Sequence, residues 1–452
     1  MIFYYNQAVQ RIIFGSVADD DTGATDLAGM LAGQDLRTVL VIDLPPPEDF
    51  AAWTRDCDAV IVGVASRAAA PQAAYQRTRE AIRLLATLRP RVLEIKYCST
   101  FDSSTEGNIG PAIDAAMDEM GESFTVALPA LPVHGRTTYL GYHFVHQQLL
   151  SDSPLRRHPL TPMTNPNLVT HLQSQTRRQV GLVAHPVVRG GAERVRERFA
   201  ALAKEGVSIA LLDCLSDADL EVLCEALADL RLITGSSAPA IKLPGVWQRR
   251  GWWQPAPGAG GAHEPPRGQG FLVVAGSCSE ATRRQNAWLE AQGARVISLD
   301  GERLVAGQVS GEEIIAAVAG ELAAGRTCLL RTAATRDDVA RVQQWAAGQG
   351  KTATEVGDEI SRALAALVQR VITEHPPEGL IVAGGETSGA IARTLGFGAL
   401  RVGKNIEPGV PLCRALGRVR LPVVLKSGNF GSPDFYGRAQ AAIRQSGAYL
   451  PP

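Results

Sequence analysis

The chain has 452 residues, with 45 Lys and Arg against 46 Asp and Glu and a formal charge of -1. This length exceeds what one hydrophobic core usually organises, so we expect two domains. The balanced charge gives no field that would attract nucleic acid or an anionic membrane, which makes a small molecule the expected partner.

No apolar run approaches the roughly 20 residues that span a bilayer, and the N-terminus lacks the charged start and cleavage site of a signal peptide. We therefore expect a cytoplasmic protein. The 7 cysteines form no CxxC pair and no metal-ligand spacing, which indicates reduced, mostly structural thiols.

The first half of the chain alternates apolar segments with amphipathic ones. Strands are predicted at 11–18, 38–42, 59–64, 91–97, 124–128, 180–184, 208–212 and 232–234, and helices from the corner 19–23 to about residue 32 and at 71–88, 110–120, 168–175, 192–204 and 217–230. Strands that alternate with such helices predict βαβ units. We therefore expect an α/β fold in which each domain has a largely parallel sheet flanked by helices.

The first predicted strand ends in the acidic corner Asp19-Asp20-Asp21-Thr22-Gly23. In parallel sheets, ligands bind outside the carboxyl ends of the strands, so these carboxylates are candidates for a site. Capping of the following helix by Asp or Thr is the alternative.

A second polar turn, residues 98–110, follows the strand predicted at 91–97 and contains Ser99, Asp102 and Ser103. Its hydroxyl, carboxylate and amide groups suit a polyhydroxylated ligand, because each hydroxyl group needs a partner once it is desolvated. A solvated loop is the alternative. Farther along, Arg136 presents a planar fork that can grip a carboxylate, although a loop arginine more often lies free at the surface.

Residues 244–270 show neither the helical nor the strand periodicity of apolar residues, and they are rich in Gly, Pro and Trp. This composition predicts a linker or crossing segment. We expect an N-terminal domain at 1–244, the linker at 245–270 and a C-terminal domain at 271–452.

The second half restarts the alternation. Strands are predicted at 271–275, 295–298, 327–331, 380–383, 399–402 and 422–425, and helices at 311–324, 336–347, 356–374 and directly after two glycine corners.

Three corners with glycine follow strands of this half, at 276–279, 384–388 and 426–431. Two of them open helices, whose unpaired N–H groups favour anions, and glycine lets a phosphate approach the backbone. A packing turn is the alternative for any single corner. Three such corners on one sheet edge predict a nucleotide pocket, and Lys426 could meet a phosphate there as a point charge.

Together, these residues resemble the four-carbon acid sugar kinase family from Val17 to about Tyr436. The acidic corner is similar to the family motif DDxTGA, with Asp21 in place of the usual apolar residue. The three glycine corners resemble the nucleotide-binding motifs of the family. No P-loop sequence GxxxxGK[ST] occurs, so the phosphate site would have to be built from these corners.

Within the family, residues 96–103, 107–110 and 158–164 resemble the 3-oxo-tetronate kinases. The threonate kinases typically carry DSTLRG where this chain has Asp102-Ser103-Ser104-Thr105-Glu106-Gly107. A threonate or erythronate kinase of the same family is the alternative.

The resemblance implies ATP-dependent phosphorylation of the terminal hydroxyl of a four-carbon sugar acid, with Mg²⁺ bridging the phosphates. The N-terminal domain would hold the acid, the C-terminal domain would hold ATP, and the active site would lie in the interdomain cleft. Asp20 would orient or deprotonate the hydroxyl, supported by Asp19. The implied substrate-binding residues are Asp19, Asp20, Thr22, Gly23, Ser99, Asp102, Ser103 and Arg136, and the implied ATP-binding residues are Ser277, Gly384, Gly385, Glu386, Thr387, Ser388, Gly428 and Asn429. No metal ligand is assigned, and a homodimer is left open.

Two alternatives come from other classes of protein. One is a non-catalytic protein that senses a sugar acid or a nucleotide. The other is a nucleotide-dependent oxidoreductase on a Rossmann-like sheet, which is disfavoured because no GxGxxG follows the first strand. Only a kinase would release ADP in an acid-dependent reaction.

Overall fold

The computed structural model describes residues 12–157, 161–256, 268–332 and 335–447. The chain divides into two compact units, Met1–Pro257 and Gly258–Pro452. Part of the predicted linker, residues 257–267, and the first three residues of the 158–164 motif lie outside the described residues.

The first unit is built from alternating strands and helices, as its sequence predicts. Its strands are β1 Phe14–Ala18, β2 Thr38–Ile42, β3 Ala59–Gly63, β4 Val92–Lys96, β5 Thr125–Leu128, β6 Arg136–Tyr139, β7 Tyr142–Val145, β8 Gln148–Leu149, β9 Val180–Val183, β10 Ile209–Leu212 and β11 Leu232–Gly235. Its helices are α1 Asp21–Gly33, α2 Pro47–Trp53, α3 Pro71–Ala86, α4 Ile109–Met120, α5 Leu168–Gln173, α6 His185–Val188, α7 Ala192–Lys204, α8 Asp217–Leu227 and α9 Pro239–Arg249.

Eight strands of this unit form a parallel sheet in the order β2-β3-β1-β4-β11-β5-β10-β9. The chain leaves β1 toward β2 on one side and leaves β4 toward β5 on the other. The sheet therefore has a topological switch point between the carboxyl ends of β1 and β4, which is where ligands bind in open α/β sheets.

A three-stranded antiparallel sheet, β6-β7-β8, was not anticipated from the sequence. The turn between β6 and β7 is Leu140-Gly141, and both residues have positive φ, 51° and 80°. Two-residue turns of this kind favour Asn-Gly or Asp-Gly, a signal that is missing here. The carboxylate of Asp213 compensates by accepting the N–H groups of Leu140 and Gly141 at 2.6 and 2.9 Å.

The predicted linker is wrong at its first residues, because α9 runs through Arg249 despite Pro244 in its interior. Trp247 on this helix is fully buried, and its ring centroid lies 5.8 Å from that of Phe14 on β1. Burial of this large side chain against the sheet outweighs the local cost of proline in a helix.

The second unit contains one mixed sheet with helices. Its strands are β12 Phe271–Ala275, β13 Arg295–Ser298, β14 Thr327–Arg331, β15 Gly379–Ala383, β16 Phe397–Glu407, β17 Val410–Gly417 and β18 Pro422–Lys426. Its helices are α10 Glu280–Ala291, α11 Gly301–Val305, α12 Gly311–Ala323, α13 Arg336–Gly348, α14 Ala353–Glu374, α15 Gly385–Thr394 and α16 Phe435–Gly447.

Strands β13-β14-β12-β15-β18 are parallel and are followed in the sheet by antiparallel β17 and β16. A switch point lies between β12, which leads toward β13, and β15, which leads toward β18. Phe271, Ile381 and Phe435 belong to the buried core behind this edge. Across the described parts of both units, every helix falls short of the length and apolar character that crossing a membrane requires.

Candidate functional site

The acidic corner lies at the switch point of the first unit. The N–H of Asp19 donates to the carbonyl of Lys96 at the end of β4, at 3.0 Å. The carbonyl of Asp19 accepts the N–H groups of Ser66 and Arg67, which follow β3, at 2.8 and 3.0 Å. The corner after β1 is thus tied to the ends of both neighbouring strands.

Arg67 is a site residue that the sequence analysis missed. Its Nε and Nη2 donate to the two carboxylate oxygens of Asp19 at 2.9 and 2.8 Å, and Nη2 also donates to Oδ1 of Asp20 at 2.7 Å. The available signal was its position shortly after β3, a strand that neighbours β1. The guanidinium fork fixes the two carboxylates side by side.

Asp20 caps α1 and still keeps one carboxylate oxygen open. Oδ1 accepts the N–H of Gly23 at 2.8 Å as well as the Arg67 bond, whereas no described residue donates a hydrogen bond to Oδ2. The side chain is 24% exposed. The capping alternative is therefore correct for Oδ1, and Oδ2 remains able to accept a hydrogen bond from a ligand hydroxyl.

The charges around Asp20 oppose one another. Burial raises the pKa of Asp20 and the neighbouring Asp19 raises it further, while Arg67 and Lys96 act to lower it. The pKa of Arg67 is itself raised, because its attraction to Asp19 and Asp20 outweighs the opposing cost of burial. Two carboxylates and two cations thus share this corner.

Gly23 in the first turn of α1 packs directly against this group. A Cβ atom there would lie 2.5 Å from Oδ1 of Asp20 and 2.8 Å from Nζ of Lys96. Thr22, beside it, is exposed. Any larger residue at position 23 would have to displace one of the two charged groups.

The polar turn after β4 divides between exposed and structural groups. The hydroxyl of Thr100 donates to Asp102 at 2.7 Å, and Asp102 is partly exposed. Ser103 is only 1% exposed, and its hydroxyl donates to Gln175 at 3.3 Å and accepts the N–H of Asn108 at 3.1 Å. The geometry therefore gives Ser103 the task of shaping the turn, unlike the substrate contact that the resemblance implied.

Asn108 connects this turn to the Arg67 segment. Its Nδ2 lies 2.6, 2.7 and 3.2 Å from the carbonyls of Ser66, Arg67 and Ala69. The amide thereby fixes the backbone from which the Arg67 guanidinium reaches the two aspartates.

Arg136 and Ser99 lie in the same neighbourhood, at the antiparallel sheet. Burial lowers the pKa of His143 on β7 to about 4. The backbone of Ser99 raises this pKa, whereas the charge of Arg136 lowers it further. Arg136 donates from Nη1 to the carbonyl of His134 at 2.7 Å, while its buried Nε has no hydrogen-bond partner among the described residues. The guanidinium thus retains donors for an anion.

In the second unit, the structure brings the three glycine corners together at its switch point. The N–H groups of Gly276 and Ser277 both donate to the carbonyl of Ala383 at 3.1 Å. The N–H of Gly384 donates to the carbonyl of Lys426 at 2.9 Å. The first two corners are each held by the end of a neighbouring strand, and all three lie at one edge of the sheet, as the sequence predicted.

The close packing of these corners requires glycine. A Cβ atom at Gly276 would lie 1.9 Å from Oγ1 of Thr387, and one at Gly428 would lie 2.1 Å from Oγ of Ser277. Gly384, with φ of 133°, begins α15 without a side-chain cap. Gly276 and Gly428 thus let the three corners pack together, whereas at Gly385 a Cβ atom would meet nothing within 4 Å, which leaves the start of α15 open to a phosphate.

The remaining predicted ATP-binding residues surround this space. Gly385, Glu386 and Asn429 are exposed, whereas Thr387 and Ser388 are buried. Oγ of Ser388 has no hydrogen-bond partner among the described residues.

Four side chains hold the loop after β18 in place. The carbonyl of Gly428 accepts hydrogen bonds from Oγ of Ser279 at 2.6 Å, Oγ1 of Thr282 at 2.9 Å and Nζ of Lys426 at 3.3 Å. Gln285 donates to the carbonyls of residues 430–432 at 2.9, 2.9 and 3.1 Å. These contacts fix the path of the loop that presents Gly428.

Lys426, which the sequence suggested as a phosphate contact, binds groups of the protein itself. Its ammonium is buried, donates to the carbonyls of Ser427 and Gly428, and has its pKa lowered to about 8 by that burial. These bonds help to fix the loop after β18.

Within the described residues, no group of three or more His, Cys, Asp or Glu side chains could enclose a metal ion. Mg²⁺ in phosphate-transfer sites usually keeps several waters and binds through one or two carboxylates and the substrate phosphates, so a dedicated protein cage is not required. Glu386, exposed at the start of α15, is a carboxylate at this edge.

Comparison with known proteins agrees with this division of the chain. Residues 14–243 match the family described as a sugar-binding N-terminal domain, and residues 272–436 match the family described as a nucleotide-binding C-terminal domain.

Similar proteins match along nearly the whole length. The 3-oxo-tetronate kinase of Pseudomonas savastanoi pv. phaseolicola is 42% identical over 439 residues, covering 95% of this chain and 97% of that protein. The 3-oxo-tetronate kinases of Cupriavidus necator and Salmonella typhimurium are 40% and 36% identical, covering 97% and 94% of this chain and 98% of each relative.

Two crystal structures share the fold. A Salmonella typhimurium protein, provisionally described as a tRNA synthase, superposes with a TM-score of 0.83 at 34% identity, covering 95% of this chain and 99% of its own. A Haemophilus influenzae protein superposes with a TM-score of 0.79 at 34% identity, covering 95% of this chain and 100% of its own. With a sugar-binding domain, a nucleotide-binding domain and 3-oxo-tetronate kinases among its full-length relatives, the chain belongs to the four-carbon acid sugar kinase family.

Proposed function

We propose that this protein is an ATP-dependent kinase that phosphorylates the terminal hydroxyl of 3-oxo-tetronate, a four-carbon sugar acid. The full-length relatives named above carry this activity in their names. The observation that carries the proposal is the open Oδ2 of Asp20, a carboxylate oxygen held at a switch point with no protein donor among the described residues. Because the proposed reaction consumes ATP, which the cytoplasm supplies, we place the enzyme in the cytoplasm.

Asp20 is the residue that orients and deprotonates the attacking hydroxyl. Its Oδ1 is occupied by Gly23 and Arg67, so the carboxylate cannot rotate without breaking both bonds, and Oδ2 is left to accept the proton. Asp19 serves mainly as the counter-ion that aims Arg67, since both its oxygens receive guanidinium donors. The base is thus preorganised before the substrate arrives.

The acid is held by groups around the same crevice. Thr22, Gly23, Ser99 and Asp102 supply exposed or partly exposed hydroxyl, backbone and carboxylate partners for the polyol. Arg136, whose guanidinium makes one described hydrogen bond, from Nη1 to the carbonyl of His134, binds the substrate carboxylate through its remaining terminal donors. Ser103 contributes indirectly by shaping the turn that carries Asp102.

ATP is bound at the glycine-lined edge of the second unit. The space that a Cβ atom at Gly276 or Gly428 would occupy belongs to the neighbouring corners, so backbone from 276–277, 384–388 and 428–429 lies close together. The start of α15 provides N–H groups for a phosphate. Bound Mg²⁺ would neutralise phosphate charge, and Glu386 is the exposed carboxylate at this edge that fits it.

Coupled measurement of ADP release tests the proposal. The protein is incubated with Mg²⁺-ATP and, in parallel, with 3-oxo-tetronate, D-threonate, L-threonate or D-erythronate. We expect ADP formation that depends on the acid and is fastest with 3-oxo-tetronate. Preference for a threonate or for erythronate would replace the substrate but keep the kinase, whereas binding of an acid without ADP release would support the sensor alternative. Light scattering on the same preparation gives the molar mass and so tests whether the protein forms the homodimer that the sequence left open.

A further inference from the structure

Lys96 is a buried cation that the proposed roles leave unused. It ends β4 at the switch point of the first unit and is only 3% exposed. Its ammonium has three N–H donors, and the hydrogen bond it makes within the described residues goes to the carbonyl of Tyr97 at 3.0 Å. A buried ammonium with open donors is costly unless another partner is supplied, and a substrate is the natural source of one.

The ammonium of Lys96 lies close to the carboxylate of Asp20. Nζ of Lys96 and Oδ1 of Asp20 are both within 2.8 Å of the point where a Cβ atom of Gly23 would sit. Arg67 reaches Asp20 from β3, so the carboxylate lies among two cations. Arg67 is already committed to Asp19 and Asp20 by three hydrogen bonds, whereas Lys96, among the described residues, forms no salt bridge with either aspartate.

A second buried group belongs to the same strand face. Glu94 precedes Lys96 by two residues, so both side chains project from one face of β4. Glu94 accepts the hydroxyl of Ser16 at 3.2 Å, and its other oxygen has no hydrogen-bond partner among the described residues. Within the described part of the chain, Lys96 forms no salt bridge with Glu94, so this carboxyl group does not occupy its ammonium donors.

We propose that Lys96 is a catalytic residue of this kinase, contacting the hydroxyl oxygen that attacks the terminal phosphate and the phosphoryl group as it is transferred. The inference rests on the proposed function. The proton of the C4 hydroxyl passes to Oδ2 of Asp20, the O4–P bond forms, and the bond between the terminal phosphorus and the bridging oxygen of ADP breaks. Lys96 gives up no proton. Its positive charge offsets the negative charge on the oxygens at the reacting centre.

The position of Lys96 distinguishes this role from binding of the substrate carboxylate. Lys96 shares the contact point at Gly23 with Asp20, the base for the C4 hydroxyl, so it lies at the C4 end of the acid. Arg136 is the group assigned to the carboxylate at the other end of the substrate.

The test compares wild type with Lys96→Met, which keeps most of the volume and removes the charge. Both proteins are assayed with 3-oxo-tetronate and with erythrulose, the four-carbon ketose in which CH₂OH replaces the carboxylate. We expect kcat/KM to fall by about 10²-fold or more for both substrates, in the range seen when one group that stabilises transition-state charge is removed. A loss with 3-oxo-tetronate but not with erythrulose would assign Lys96 to the carboxylate and overturn the inference.

Calorimetry measures binding of 3-oxo-tetronate and does not depend on how well erythrulose is turned over. The Kd of 3-oxo-tetronate for Lys96→Met should stay within about 3-fold of wild type while kcat falls, because the contact strengthens in the transition state. A large rise in Kd with unchanged kcat would contradict the proposal. Lys96→Gln, which keeps a donor, should recover part of the lost kcat if folding is intact.

The two proposals fail in different ways. If wild type releases no ADP with any of the four acids, the proposed function is wrong. If wild type is active and Lys96→Met retains its kcat, only the role of Lys96 is wrong.

Discussion

The two units place their switch points on similar parallel sheets but equip them in opposite ways. In the first unit, charged side chains crowd the strand ends: Asp19, Asp20, Arg67 and Lys96. In the second unit, glycine and hydroxyl residues form the strand ends, Gly385 leaves the start of α15 open, and the buried cation Lys426 binds the carbonyls of its own loop.

The difference follows from what each edge would bind. A small polyol acid offers individual hydroxyl groups and one carboxylate, which separate side chains can each address. A triphosphate offers many equivalent anionic oxygens, which backbone N–H groups and helix starts can meet collectively. One arrangement of strands therefore accommodates two chemistries because the residues at the corners differ.

The largest expected effect is on the charged edge. Asp20→Asn should lower kcat by about 10²-fold to 10⁴-fold, because it removes the proposed base, while the KM for ATP should change little. Steady-state kinetics with both substrates measure this. Asp49→Asn, the same chemical change at an exposed carboxylate on α2, is the matched control and should retain kcat. Near-normal turnover of Asp20→Asn would remove Asp20 from the role of base.

The glycine edge should respond in the complementary way. In Gly428→Ala the new Cβ atom would meet Oγ of Ser277 at 2.1 Å, so the two corners must separate. We expect the KM for ATP to rise by about 10-fold or more, equivalent to about 1.4 kcal/mol, with little change in the Kd of the acid.

The control for this variant is Gly320→Ala on α12, where a Cβ atom would meet nothing within 4 Å. Alanine in a helix should be neutral or stabilising by about 0.5–1 kcal/mol, with ATP kinetics unchanged. Equal effects of the two substitutions on ATP would show that the glycine corners do not form the nucleotide site.

The last expected effect is on stability and not on kinetics, and it concerns the group buried behind the charged edge. Burial raises the pKa of Glu94 to about 8 from its ordinary 4.5, with Lys96 partly opposing the shift. Between these values the folded protein keeps a proton that the unfolded chain releases, so this group makes stability fall as pH rises from about 4.5 to 8. The slope is at most about 1.4 kcal/mol per pH unit.

Glu94→Gln should remove this contribution, so that the free energy of unfolding of the first unit falls less steeply between pH 5 and 8. Urea unfolding curves at several pH values, followed by tryptophan fluorescence, measure the slope. The exposed Glu106→Gln variant is the control and should keep the wild-type pH dependence. Identical slopes for wild type and Glu94→Gln would contradict a protonated Glu94 at neutral pH.

The sequence was most informative where local patterns and sheet topology agree. Strands such as Thr38–Ile42 and Phe271–Ala275 have the predicted bounds, and the three glycine corners meet because each follows a strand near one switch point. The acidic corner was located for the same reason. Apolar runs and turn residues can be recognised locally in the sequence. A parallel sheet then places the turns that follow its strands at the same edge.

The residues that were missed depend on contacts distant in sequence. Arg67 acts on Asp19 from 48 positions away, and the turn at Leu140-Gly141 is stabilised by Asp213, 73 and 72 positions away. Ser103 looked like a ligand-binding hydroxyl, but Gln175 and Asn108 occupy it. Composition reveals that a polar group is present, whereas its hydrogen-bond partners decide whether it is available.

Asn108 has a consequence for changing substrate preference by exchanging segments between relatives. Its amide group contacts three carbonyls of residues 66–69. The segment after β3 and the turn after β4 are therefore structurally coupled. If the turn alone were grafted, its amide at position 108 would no longer match the carbonyls of residues 66–69. Arg67 would then lose its orientation toward the two aspartates. Specificity in this scaffold should therefore be transplanted as a pair of segments, residues 64–70 together with 98–110.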